Sequence, residues 1–255
     1  MLHRATPHMV LGAIIGIPLL LLVVNVNAER VEVSPSATTS CITTTGQLTG
    51  KVAIITGSSR GVGAEIAKVY AREGANVVIN YYQSKDKADA VVADINSRGE
   101  GKAIAIYGDV TNKADMVALV AEAKTTFGAV HVLVNNALAH YQFNPGSKMA
   151  SIKTIEWSDF DQQMKGTVAG SVNAVQACLP AFEAQGFGKV VMIGTNLVYN
   201  PVVTYYDYTS AKAALVGLTR NLAAELGEPQ CDPTTQKRWA HGCPTVHATV
   251  NCSPG

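Results

Sequence analysis

The sequence predicts an α/β fold in which a doubly wound parallel sheet is flanked by helices on both faces. From about Gly50 onwards, short apolar stretches of strand length alternate with longer stretches that carry apolar residues at helical spacing. Strands that are apolar throughout are typical of parallel sheets buried between two helical layers. The chain has 255 residues, 47% of them hydrophobic, so it is long and apolar enough to form one such domain.

The elements follow one another in a regular order. Each predicted strand is an apolar run bounded by glycine or polar residues, and each predicted helix begins after such a boundary. The predicted strands span residues 52–56, 76–81, 102–107, 130–134 and 189–193, and the predicted helices span residues 63–73, 84–98, 113–127, 157–185 and 206–226. We therefore assign residues 50–255 to the domain and the polar, aperiodic residues 29–49 to a linker.

The first 28 residues have the pattern of a targeting segment. The apolar run Met9–Val24 follows Arg4 and ends shortly before Ala28, which precedes a polar stretch. This pattern predicts a secretory signal peptide over residues 1–28, or an uncleaved signal anchor, because the run approaches the roughly 20 residues of a spanning helix. A strand of the domain is disfavoured, since no element is missing without it. Both targeted interpretations place the domain in the secretory pathway, secreted or membrane-anchored on the non-cytosolic side.

A glycine-rich turn, TGSSRGVG over residues 56–63, joins the first predicted strand to the first predicted helix. Glycines allow the backbone to turn tightly and to approach a pyrophosphate, and the helix N-terminus offers free N–H groups and the positive end of its dipole. Because the turn lies between a strand and a helix, it predicts a dinucleotide site on a Rossmann-like fold. The residues predicted to bind the cofactor here are Gly57, Ser59, Arg60, Gly61, Val62 and Gly63.

A tyrosine and a lysine are placed for proton transfer in the last predicted helix. Tyr208 and Lys212 are four residues apart, so they share one face of the helix. The pKa of a free tyrosine is near 10, and a neighbouring ammonium is expected to lower it towards the working range. Tyr205 and Tyr206 have no lysine four residues further on. The pair therefore predicts a general acid–base group at Tyr208.

These two motifs resemble those of the short-chain dehydrogenase/reductase family, and within it the 3-oxoacyl-acyl-carrier-protein reductases. The resemblance covers residues 50–226 and the final residues 250–255. It implies an oxidoreductase that reduces a carbonyl, such as a 3-oxoacyl thioester or a similar ketone, to an alcohol by hydride transfer. In that role Tyr208 is the general acid, Thr195 takes the place of the catalytic serine, and Lys212 also binds the nicotinamide ribose. A homodimer or homotetramer is implied as well.

Further cofactor contacts are implied by the same resemblance. One pair of these residues follows the third predicted strand and a second pair follows the fourth. A third pair lies at the end of the sequence. These residues, with the catalytic pair, are Asp109, Val110, Asn135, Ala137, Tyr208, Lys212, Pro254 and Gly255.

The second strand favours NADP(H) over NAD(H). A carboxylate at its end would bind the ribose hydroxyls of NAD and repel a 2′-phosphate, but the strand ends in Asn80-Tyr81-Tyr82. Arg60 and Lys85 lie close enough in sequence to serve as phosphate partners.

Four features depart from the family pattern. Leu138 stands where the Asn-Asn-Ala-Gly motif has glycine, and Thr167 aligns with an asparagine of the proton relay. Residues 228–245 form a long insertion, and the sequence ends before the last strand and the substrate-covering segment. We therefore expect a sheet truncated at its last strand, with an unpaired edge. A catalytically impaired nucleotide-binding relative, or a fragment, is the alternative.

Charge and cysteine content narrow the other possibilities. The formal net charge is +1 and basic residues do not cluster with aromatic ones, so the expected partner is a small-molecule carbonyl or alcohol and not a nucleic acid. The five cysteines match no trusted zinc spacing, so no metal site is predicted. Cys178 lies in an apolar helical pattern and is expected in the core.

Overall fold

A computed structural model of the chain describes residues 21–25, 46–139, 151–226 and 247–249. Five of the helices pack their apolar residues against the central strands. The elements are β1 (Leu21–Asn25), β2 (Val52–Ile55), α1 (Gly61–Arg72), β3 (Asn76–Tyr81), α2 (Lys85–Arg98), β4 (Ala103–Tyr107), α3 (Lys113–Phe127), β5 (Val132–Asn135), α4 (Trp157–Gln163), α5 (Gly170–Gln185), β6 (Lys189–Ile193), α6 (Tyr206–Leu226) and β7 (His247–Thr249).

Five parallel strands form the centre of the sheet, in the order β4-β3-β2-β5-β6. The strand order runs outwards from β2 through β3 to β4, and then reverses when the chain places β5 on the other side of β2. Ligands of open α/β sheets bind at the carboxyl ends of the strands, at such a reversal. This arrangement confirms the predicted α/β class and places the glycine turn after β2 at the expected crevice.

Two apolar layers cover the sheet. One lies beneath α1 and α2, and the other lies beneath α3, α5 and α6. Alternate residues of β2 divide between them, with Ala53 and Ile55 in the first layer and Ile54 in the second. Cys178, in α5, is fully buried in the second layer, which confirms its predicted place in the core.

The edge of the sheet at β6 is not left open, contrary to the prediction. β1 pairs with β6 in the antiparallel direction, with Leu21 opposite Ile193 and Val24 opposite Val190. β7 pairs in turn with β1, again antiparallel. The free N–H and C=O groups of an edge strand accept another strand readily. Residues 21–25 were expected to contribute no strand, and here they supply the one that covers β6.

The long helix predicted over residues 157–185 is interrupted. Between α4 and α5 the residues Met164–Ala169 form a π-helical turn. Gly166, in this turn, packs so closely on the loop after β5 that a Cβ atom would lie 2.8 Å from the carbonyl oxygen of Ala139. A π-helical turn widens the helix locally, and such turns are frequent near functional sites.

None of the helices in the described residues is both long enough and apolar enough to cross a membrane. The remainder of the predicted targeting segment, residues 1–20 and 26–28, lies outside the described residues.

Candidate active site

The turn between β2 and α1 requires glycine at its first position. Gly57 has a φ of +62°, which side chains with a Cβ atom rarely adopt, and a Cβ atom there would lie 2.9 Å from Cα of Ala137. At Gly63, a Cβ atom would lie 2.5 Å from Nδ2 of Asn136. Both glycines thus let the turn approach the loop after β5. Gly61, with a φ of +58°, has open space around it and is exposed.

Three polar residues that the sequence analysis did not assign to the site hold this turn in place. The amide of Gly57 donates to Oδ1 of Asn80 at 3.0 Å, and Nδ2 of Asn80 donates to the carbonyl of Gly108 at 2.9 Å. On the other side, the hydroxyl of Thr56 accepts from the amides of Asn136 and Ala137 at 3.0 and 3.1 Å. A buried asparagine at the end of an apolar strand was the available signal for Asn80.

The first turn of α1 is suited to bind an anion. Within the described residues, the helix has no side-chain hydrogen bond at its N-cap, Arg60, and no acidic residue in its first turn. Its N-terminal amides and the positive end of its dipole therefore face the open space beside Gly61. Arg60 is exposed, while Ser59 and Val62 are half-buried. The amides at this helix N-terminus are donors of the kind that bind the pyrophosphate of a dinucleotide.

The predicted catalytic residues come together at the carboxyl end of β6. Tyr208, Thr195 and Lys212 are 6%, 2% and 3% exposed, so all three are withdrawn from bulk water. The hydroxyl of Thr195 forms a hydrogen bond with the phenol of Tyr208. Nζ of Lys212 lies 5.7 Å from the centroid of the Tyr208 ring and donates to the carbonyl of Ile193 at 2.6 Å.

Burial controls the ionisation of this group. It raises the pKa of Tyr208, and the hydrogen bond with Thr195 opposes that rise. It lowers the pKa of Lys212 to about 8. The direction for Tyr208 differs from the one that the Tyr–Lys spacing predicts. The phenol is shielded from water, and the ammonium directs its hydrogen bond to the carbonyl of Ile193, so desolvation of the phenolate dominates.

The other predicted cofactor residues line the carboxyl ends of β4 and β5. Oδ1 of Asp109 accepts from the amide and the hydroxyl of Thr111, both at 2.8 Å. Val110 is 5% exposed, and its carbonyl accepts from Asn173 in α5 at 3.0 Å. Asn135 is 6% exposed, and its Nδ2 lies 3.3 Å from the sulfur of Met192.

The remaining residues singled out in the sequence lie in the following surroundings. Lys85, in the first turn of α2, forms an ion pair with Asp89 at 2.6 Å. The hydroxyl of Thr167 is buried and has no hydrogen-bond partner among the described residues. Pro254 and Gly255 lie outside the described residues. No group of three or more His, Cys, Asp or Glu side chains that could hold a metal ion is present in the part of the chain that the structure describes.

Comparison with known proteins assigns the family. The family model described as short chain dehydrogenase matches residues 51–231. The chain belongs to the short-chain dehydrogenases. This family binds NAD(P), and the assignment makes the chain an oxidoreductase.

Several relatives in this family are similar to the chain over about two thirds of their length. The 3-oxoacyl-[acyl-carrier-protein] reductase FabG of Staphylococcus aureus is 35% identical over 179 residues, covering 69% of this chain and 68% of the relative. The oxidoreductase UcpA of Salmonella typhimurium is 34% identical over 186 residues, covering 72% and 66%. A crystal structure of a dehydrogenase/reductase from Sinorhizobium meliloti superimposes with a TM-score of 0.62 at 32% identity, covering 72% of this chain and 69% of the other.

Proposed function

We propose that this short-chain dehydrogenase reduces a carbonyl to an alcohol with NADP(H), and that the carbonyl is that of a 3-oxoacyl thioester or a similar ketone. The observation that carries the proposal is the buried cluster of Tyr208, Thr195 and Lys212 at the carboxyl end of β6. The FabG relative, whose name gives a 3-oxoacyl thioester as its substrate, supports the substrate class.

Each residue of this cluster has a separate role in the proposed reaction. A bound reduced nicotinamide supplies the hydride that the carbonyl carbon gains. The phenol of Tyr208 donates the proton that the carbonyl oxygen gains, and its raised pKa keeps that proton in place at neutral pH. The hydroxyl of Thr195, within hydrogen-bond reach of the phenol, orients the same oxygen. The ammonium of Lys212 stabilises the phenolate left behind, and Ile193 fixes its position.

The preference for NADP(H) rests on Arg60. β3 ends in Asn80-Tyr81 and offers no carboxylate to the ribose, whereas Arg60 is exposed at the N-terminus of α1. Lys85 is paired with Asp89, so it contributes less to an anion site. We expect Arg60→Ala to weaken NADPH binding about tenfold or more while leaving NADH binding nearly unchanged. Equal losses for the two cofactors, measured by fluorescence titration, would contradict the assignment.

The activity is tested with an acetoacetyl thioester. The wild type is expected to oxidise NADPH steadily, and Tyr208→Phe is expected to lose this activity. Tyr206→Phe, two residues earlier in the same helix, is the matched control. NADPH binding without turnover in any of the three would identify the second candidate, a nucleotide-binding relative that has lost catalysis. Absence of NADPH binding by a folded wild type would refute both.

We also propose that residues 1–28 direct export of the chain. Their apolar run after Arg4 supports this proposal. The pairing of Leu21–Asn25 with β6 is an opposing observation, because a segment that is cleaved off cannot remain in the sheet. The mass of the protein isolated from its own cells shows whether this segment is removed or remains in the sheet. A chain that begins near residue 29 supports export with cleavage, and an intact chain that stays soluble after carbonate extraction contradicts both the leader and the anchor.

A further inference from the structure

Leu138 lies on a short segment that is held from two sides. On one side, the amides of Asn136 and Ala137 donate to the hydroxyl of Thr56, next to the glycine turn. On the other side, Ala139 packs against the backbone of Gly166 in the π-helical turn. The backbone of Leu138 therefore has little freedom to move away from its neighbours.

The side chain of Leu138 packs against the catalytic tyrosine's own apolar cluster. That cluster consists of Leu197, Tyr205 and Tyr208, which are at most 9% exposed, and Leu138 and Val203 cover it. The ring of Tyr205 meets that of Tyr208 edge-on, with centroids 6.4 Å apart. All the members other than the two phenols are aliphatic. The tyrosine that is proposed to donate the proton thus belongs to an apolar wall, to which the loop after β5 contributes Leu138.

A substrate must approach this wall. Its carbonyl oxygen has to lie within about 2.6–3.2 Å of the phenol oxygen for proton transfer, so a substituent on the carbonyl carbon lies only one or two bonds further away. The neighbouring cation, Lys212, is directed to the carbonyl of Ile193. Among the described residues, the side chains of the wall are therefore placed to meet the substituent.

We propose that Leu138 limits the size of the substituent that fits beside Tyr208, so that the chain selects ketones with a small apolar group, such as the methyl group of an acetoacetyl thioester, over longer or branched homologues. This proposal rests on the carbonyl reductase function proposed above. Leucine at this position occupies space that a glycine would leave open, and a substituent of the same kind competes for that space. Leu138 acts through packing, so it is a specificity-determining residue and takes no part in proton transfer.

The first measurement is the dependence of kcat/KM on the length of the substrate's acyl group. Wild type, Leu138→Gly and the volume-conserving control Leu138→Met are compared on acetoacetyl, 3-oxohexanoyl and 3-oxooctanoyl thioesters. We expect the wild type and Leu138→Met to favour the acetoacetyl substrate. In Leu138→Gly the ratio of the longer substrates to acetoacetyl is expected to rise about tenfold or more, the range for one misfitting methylene group in an apolar pocket.

The second measurement does not depend on turnover. Removal of the Leu138 side chain admits water to the phenol, which favours the phenolate. The ultraviolet absorbance of each protein is titrated between pH 7 and 12, and the curve of the matching Tyr208→Phe protein is subtracted. The charged group that faces the phenol, Lys212, is the same in every variant, so its contribution cancels. We expect the titration of Tyr208 to move to lower pH in Leu138→Gly and to stay in place in Leu138→Met.

The outcomes separate this inference from the function on which it rests. A wild type that binds NADPH and reduces none of the thioesters counts against the proposed function, and the phenol titration then decides the packing role of Leu138 alone. If the wild type is active and the ratio of kcat/KM for the longer thioesters to that for acetoacetyl is the same in Leu138→Gly, the inference is wrong and the proposed function is unaffected. A phenol titration that does not move in Leu138→Gly also overturns the inference.

Discussion

Replacement of Gly57 by alanine tests the geometry of the glycine turn quantitatively. At a φ of +62° a residue with a Cβ atom costs about 1–2 kcal/mol. The new Cβ atom would also lie 2.9 Å from the backbone Cα atom of Ala137, and such overpacking costs typically about 1–3 kcal/mol. We therefore expect Gly57→Ala to lower the free energy of unfolding by about 2–5 kcal/mol.

Gly186 supplies a matched control for the same backbone conformation. Its φ is +63°, and a Cβ atom there would meet nothing within 4 Å. Gly186→Ala should therefore lose only the conformational part, about 1–2 kcal/mol. Both variants are unfolded with urea and followed by circular dichroism, and NADPH binding is titrated below the transition. Equal losses of stability, or tight NADPH binding by Gly57→Ala, would refute the close approach of the turn to Ala137.

Three further predictions follow from buried polar groups. Nδ1 of His131 accepts a hydrogen bond from the amide of Val52 at 3.0 Å, and burial together with Lys51 lowers the pKa of His131. The free energy of unfolding, measured by urea titration, should therefore fall as the pH drops through 6.5, and it should fall less in His131→Asn. Thr167→Val should leave the urea midpoint unchanged or higher, since the buried hydroxyl has no partner among the described residues, and a large loss of stability would contradict this. Burial raises the pKa of Cys178 to about 12, so mass mapping should find it unlabelled by iodoacetamide until the protein unfolds.

Local patterns were sufficient to predict the central sheet and to bring the candidate catalytic residues to notice. The strands could be recognised because a sheet that is covered on both faces buries all their residues, as in Val52–Ile55, which is apolar throughout. Tyr208 and Lys212 could be paired because helical spacing alone places them on one face. Thr195 was assigned to the same group only through the family resemblance, as the residue in the place of the catalytic serine.

The features that the sequence did not predict depend on contacts between segments that are distant in the chain or on burial in the folded protein. The π-helical turn over Met164–Ala169 contains Gly166, which packs on Ala139, and helical periodicity carries no information on that contact. The pairing of Leu21–Asn25 with β6 joins segments that are far apart in the chain, and its apolar pattern fits a leader equally well. The raised pKa of Tyr208 reflects burial beneath an apolar wall, which is a property of the folded chain and not of the spacing.

The direct test of the proton-donating phenol is a single-turnover experiment. Enzyme in excess, already saturated with NADPH, is mixed with an acetoacetyl thioester, and the rate of alcohol formation is compared between wild type and Tyr208→Phe. We predict a rate about 10²–10⁴-fold lower in Tyr208→Phe, measured for each protein at a saturating concentration of NADPH. A Tyr208→Phe rate equal to that of the wild type would show that another group delivers the proton.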